Sequence, residues 1–156
     1  MHFVTVMRRQ FLCALLAGSV AAPGQPAAQP VVTIPQGAAV KVCSGCHTMQ
    51  IVTDTPKDID AWHDTVQSML DRGAQATPEE LDLVMQFLFE NVSTVDVNHA
   101  DAETLATVLR APQPAVDAIM ARRQMRPFKD LADLENSVPG LDRALLDSKK
   151  RMIFFQ

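Results

Sequence analysis

Residues 77–88 read Thr77-Pro78-Glu79-Glu80-Leu81-Asp82-Leu83-Val84-Met85-Gln86-Phe87-Leu88, and their order decides the class of fold. Thr77 offers an N-cap hydroxyl, Pro78 takes the first helical position where its missing N–H costs nothing, and a following glutamate can return the capping bond. Leu81, Val84, Met85 and Leu88 then recur as one apolar stripe, and Asn91 suits the exit. Upstream, Trp62, Val66, Met69 and Gly73 share one face of a second helix expected over Ile59 to about Arg72. A short helix from Ala38 to Cys43 comes before it. Downstream the pattern resets beyond Val95 with a second capped start at Asp101, and helices are expected at about 102–109, 114–123, 129–135 and 142–150. Pro112, Pro114, Pro127 and Pro139-Gly140 separate these into two short helix pairs. No clear strand is expected, and Met152 to Phe155 suits a short extended tail packed on the helices. The expected class is all-α.

The ends of the chain read differently. Of its 156 residues, 1–28 form an expected export signal: Arg8 and Arg9 are basic, Phe11 to Val20 is apolar, and small residues surround Ala21 and Ala22. The apolar run falls short of the about 20 residues a permanent span needs, so no transmembrane anchor is expected after cleavage, and Cys13 leaves with the signal. Pro23, Pro26, Pro30 and Pro35 mark a processed end and an extended leader over 29–37. The remainder divides into 38–94 and 95–156.

Charge supports that division. Residues 29–95 carry 3 basic and 9 acidic side chains, whereas 96–156 carry 9 of each. Neither half has the basic stripe of a nucleic-acid-binding domain. No Ser-His-Asp, metal-hydrolase or nucleotide motif is present, so independent catalysis is not expected.

Cys43-Ser44-Gly45-Cys46-His47 carries the chemistry. Two thiols three residues apart can reach the two vinyl groups on one porphyrin edge, and the adjacent histidine can turn beneath the ring to the iron, the arrangement for one covalently attached haem c. Competing readings of the cysteine pair are weaker. A thioredoxin-like redox pair wants a βαβ setting, a structural zinc wants two more ligands where only His63 and His99 remain, and a bare disulfide has no use for His47. Opposite His47, the candidates for the sixth iron ligand are Met49, Met69, Met85 and the methionines beyond residue 119. Met49 is too near His47 to reach the other face, and Met85 belongs to the apolar stripe. Met69 shares a face with Trp62 and is assigned as the distal ligand, with Trp62 packing on the haem. A merely packing Met69, with His63 or an open site at the iron, stays as the alternative.

These residues, with Trp62, Val66, Met69, Gly73 and Thr77-Pro78-Glu79-Glu80, resemble the small mono-haem cytochromes that occur alone or as subunits of periplasmic quinoprotein and molybdenum dehydrogenases, over residues 38–92. The resemblance implies a class I-like three-helix haem wrap, supports Met69 as distal ligand, and implies a periplasmic dehydrogenase and a downstream electron acceptor as partners. A family Tyr-Leu is replaced by Phe87-Leu88.

Val97-Asn98-His99-Ala100-Asp101-Ala102, Leu105, Ile119, Arg122-Arg123, Pro127-Phe128 and Val138-Pro139-Gly140-Leu141 resemble the tandem helix-hairpin-helix domain of competence-type DNA receptors, over residues 95–150. In that family glycine-rich hairpins present backbone N–H groups to phosphate. Here the first hairpin, Arg110 to Pro114, has no glycine, and the second has Asp142 where a second glycine is expected. Arg122, Arg123, Arg126, Lys149, Lys150 and Arg151 remain as a potential basic patch. The expectation is a structural or partner-binding module rather than a nucleic-acid binder.

The sequence therefore leads to a periplasmic c-type cytochrome that passes single electrons as a carrier or cytochrome subunit, and is not itself an enzyme. Two alternatives stay open: a haem-containing helix-hairpin-helix DNA-binding protein, and an open-site haem sensor or peroxidase.

Overall fold

The computed structural model describes residues 34–156; the export signal and the leader up to residue 33 lie outside the described residues. Eight α-helices follow one another in this stretch: α1 (Pro35–Cys43), α2 (Met49–Asp54), α3 (Ile59–Asp71), α4 (Pro78–Val92), α5 (Ala102–Leu109), α6 (Gln113–Met125), α7 (Leu131–Ser137) and α8 (Arg143–Ser148). Two two-residue strands, β1 (Val95–Asp96) and β2 (Ile153–Phe154), are the only ones among the described residues. The chain is all-α.

The first four helices close on one apolar cluster made by Ala38, Val52, Trp62, Val84, Leu88 and Val92. α1 starts at Pro35, three residues before the expected Ala38, and takes in the end of the expected leader. The cause is local: Pro35 sits in the first turn, where its fixed φ already suits a helix and no donor is lost. Ala38 and Ala39 are fully buried, and their small side chains let α1 lie close along α4. Lys41 of α1 pairs with Glu80 of α4, and that bond holds the Glu80 carboxyl below its usual range.

α2 was not anticipated, so four helices rather than three make up this group; six residues are too few to display a periodicity. α3 begins on Asp58, whose carboxylate accepts the Ala61 N–H at 2.7 Å. α4 carries the complete capping box, with the Glu80 N–H on the Thr77 hydroxyl at 3.2 Å and the Thr77 N–H on the Glu80 carboxylate at 3.0 Å. Val84 and Leu88 of its stripe are fully buried, whereas Leu81 and Met85 are half-buried.

α5 to α8 enclose a second cluster centred on Leu105, Val116, Ile119, Phe128, Leu134 and Leu146. Asp101, Asp130 and Asp142 each cap a helix through the side chain. α6 is longer at both ends than the expected 114–123, while α7 begins two residues later than expected and a 3-10 turn over Lys150–Met152 completes the region after α8. The tail does more than pack: β2 lies parallel to β1, Val95 opposite Ile153 and Asp96 opposite Phe154. Strands of two residues have no alternation for a sequence reading to find.

Candidate functional site

Cys43 closes α1, and its position at the helix C-terminus governs its chemistry. Thiolates are favoured at helix N-termini, where the dipole is positive; a C-terminal thiol lacks that support. Burial pushes the Cys43 thiol above its usual range. Cys43 is half-buried, Cys46 is exposed, and both are free. A protonated, partly buried first thiol is poorly suited to thiol–disulfide exchange, which needs the thiolate.

His47 follows directly and is half-buried. Its Nδ1 lies 3.2 Å from the carbonyl oxygen of Thr48. A carbonyl can only accept, so this bond calls for the hydrogen on Nδ1 and leaves the Nε2 lone pair of the neutral ring free for a metal.

Two adjoining lobes open beside these residues. The first, of about 270 Å³, is lined by Val42, Cys43, Cys46, His47, Val66, Met69, Leu70, Arg72, Ala74, Leu81 and Val84. The second, of about 240 Å³, shares Cys43, His47, Val66 and Met69 with it and adds Ile51, Val52, Thr55, Lys57, Trp62, Thr65 and Leu88. Both fall into one mostly apolar crevice between α1, α2, α3 and α4, of the size class that takes a small organic cofactor. Its charge is one-sided. Apart from His47, the only ionisable groups other than thiols are Arg72 in one lobe and Lys57 in the other. None of the nine acidic side chains of residues 29–95 lines it.

The structure thus brings Cys43, Cys46, His47 and Met69 to one crevice. Trp62, 3% exposed, forms part of its wall and donates its indole N–H to the Val92 carbonyl at 3.2 Å. Met49 and Met85 pack on the apolar cluster and do not line either lobe. His63 lies elsewhere, against Phe89 with ring centroids 5.2 Å apart. Together with His99 it borders a separate acidic cleft of about 490 Å³ that shares no residue with the crevice. Neither histidine is therefore placed to complete a zinc site with the cysteines, and no group of three His, Cys, Asp or Glu side chains suited to a metal ion occurs among the described residues. Sequence reasoning missed Ile51, Val52 and Thr55, which reach the crevice through α2, and Lys57 and Arg72, whose types and spacing carry no motif.

The cations of the second cluster are largely committed to the fold. Arg122 holds both Asp133 carboxylate oxygens at 3.1 Å and stacks on Phe128, with its guanidinium 4.7 Å from the ring centre. Arg123 donates to the carbonyls of Val97 and Ala100 at 2.9 and 2.6 Å. Arg126 lies 3.8 Å from Asp133, Lys150 pairs with Asp147 at 3.2 Å, and the buried Lys149 donates to the Val108 carbonyl. The two hairpins meet: the atom nearest a side chain built at Gly140 is Pro112 Cγ, at 4.0 Å. Gly140 has φ +86°, which glycine adopts freely. The Asp142 carboxylate occupies the N-terminus of α8, accepting the Leu145 N–H at 3.1 Å.

Compared with protein-family models, curated proteins and solved structures, the chain matches none.

Proposed function

We propose that this chain is an electron-transfer protein carrying one covalently attached haem. More particularly, we propose a periplasmic c-type cytochrome, a carrier or cytochrome subunit that takes electrons singly from a dehydrogenase and passes them to a downstream acceptor. The observation that carries the proposal is the convergence of two free thiols, an imidazole and a thioether on one apolar crevice. When bound, haem supplies a one-electron iron couple.

The chain's own residues fit that group. Cys43 and Cys46 would hold it by thioether bonds. His47 would offer Nε2 to the iron, with the Thr48 carbonyl holding the hydrogen on Nδ1, and Met69 would supply a thioether ligand, a type that raises the potential. Val66, Leu70, Leu81 and Val84 line the crevice with apolar side chains that would keep water from such a ring. Arg72 and Lys57, the cations of a crevice without carboxylates, would be available to pair with the carboxylates that haem carries. Around the crevice the acidic balance of the first group of helices would favour a partner with a basic docking face, in a transient and salt-sensitive complex.

For residues 95–156 the reading is a helix-hairpin-helix scaffold serving a structural or partner-binding role. Arginines spent on Asp133 and on backbone carbonyls, and a carboxylate at the N-terminus of α8, support this over duplex binding.

The test is covalent attachment. Protein expressed in a periplasm that matures c-type haem should keep a haem-stained band through denaturing electrophoresis, and the double variant Cys43→Ala, Cys46→Ala should lose it. An unstained wild-type band would overturn the proposal.

A further inference from the structure

The segment between the two groups of helices is held from both sides. On the crevice side, Val92 accepts the Trp62 indole N–H at 3.2 Å, and the Thr94 N–H donates to the Lys57 carbonyl at 2.8 Å. Ser93 lies opposite Lys57 in a parallel bridge, is fully buried, and donates its hydroxyl to the Leu88 carbonyl at 3.1 Å. Trp62 and Lys57 both line the crevice, and the Lys57 ammonium stands 5.9 Å from the centre of the Trp62 ring.

On the other side, β1 is paired with β2, and the Val97 N–H donates to the Phe154 carbonyl at 3.0 Å. Asn98 ties the same stretch to Phe128 by bonds of 3.0 and 2.8 Å, and Arg123 caps the Val97 carbonyl. Buried backbone groups are costly to leave without such partners, so this connection behaves as a packed element and not as a free linker.

We propose that the C-terminal module braces the crevice: β2 holds the connecting segment in place, and that segment holds the wall formed by Trp62 and Lys57. The closing strand would then act on the site through this wall without touching it. A few hydrogen bonds and a two-residue ladder connect the two, and perturbing either end should be felt at the other, because coupling between sites is reciprocal. The coupling stands on protein contacts alone; its consequence for an iron centre rests on the proposed function.

Amide hydrogen exchange on the full-length protein tests it from both ends. Deleting Phe154 to Gln156 should raise exchange at Thr94 and over residues 57–66 about tenfold, beyond any change at Val97 itself. Trp62→Phe, which removes the indole donor conservatively, should in turn raise exchange at Val97 and Ile153. Faster exchange confined to residues 95–156 in the deletion and to residues 34–92 in Trp62→Phe would overturn the brace, and either variant decides it if the other fails to fold. In haem-loaded protein the deletion should also lower the midpoint potential, as water gains access to the crevice. An unchanged potential with coupled exchange would leave the brace standing and count against the wall's influence on the haem, whereas a chain that takes up no haem still gives the exchange result.

Discussion

Lys149 is 4% exposed and donates to the carbonyl of Val108 near the end of α5. Burial pushes its ammonium down to about 8 from 10.5, the neighbouring Arg110 pushes the same way, and Glu90 opposes them. The unfolded chain therefore holds this proton more tightly than the folded one. Between pH 8 and 10.5 unfolding takes up a proton, so stability rises with pH across that window. Below pH 8 both states are protonated and the penalty is constant. The wild type should gain up to about 2–3 kcal/mol across the window relative to Lys149→Met, read as the difference in thermal midpoint between the two at each pH. Parallel midpoints would show that Lys149 carries no such shift. Arg110 itself is the only non-glycine residue with positive φ among the described residues, at +48°. A left-handed arginine costs on the order of 1 kcal/mol, offset here by bonds to Asn91 at 2.9 Å and Glu90 at 3.4 Å on α4. The hairpin position where the sequence showed no glycine thus holds an arginine that reaches across to the crevice helices, a contact invisible to local reading.

At the scale of elements, legibility followed locality. α4 was readable to its first residue because a capping box and a stripe lie within the element's own sequence, and α5 matched its expected span of 102–109 because Asp101 caps its start. Thr77→Ala should therefore cost about 1 kcal/mol and lower the thermal midpoint by a few degrees; no change would mean that packing against α1 alone sets the start of α4. The start of α1 was misread because its prolines suggested an extended leader, although one of them opens the helix. α2 is too short for a period, and β1 and β2 exist only through pairing across more than fifty residues of chain. Of the residues that line the crevice, Cys43, Cys46, His47, Trp62 and Met69 stand out in the sequence, the first three by their spacing and the other two by a shared helix face. The walls supplied by Ile51, Lys57 and Arg72 depend on tertiary placement.

Across the whole molecule, nine acidic side chains match the nine basic ones of residues 96–156, and Arg122, Arg123 and Lys149 are spent on Asp133 and on backbone carbonyls. Sequence-independent duplex affinity comes from phosphate neutralisation and falls steeply with salt. The protein should therefore show no duplex binding at micromolar concentration near 0.15 M salt, as read by fluorescence anisotropy. Retained binding with a steep salt slope, abolished by Gly140→Asp, would instead support the haem-containing DNA-binding alternative. The absorption spectrum of the oxidised and reduced protein, taken beside Met69→Ala, tests the central claim most directly. A long-wavelength sulfur-to-iron band in the oxidised wild type that disappears in Met69→Ala, with the haem retained, is the result expected of His47 and Met69 on one iron. A haem spectrum without that band, and ferrous protein that binds added ligand equally well with or without Met69, would contradict the assignment and point to an open iron site.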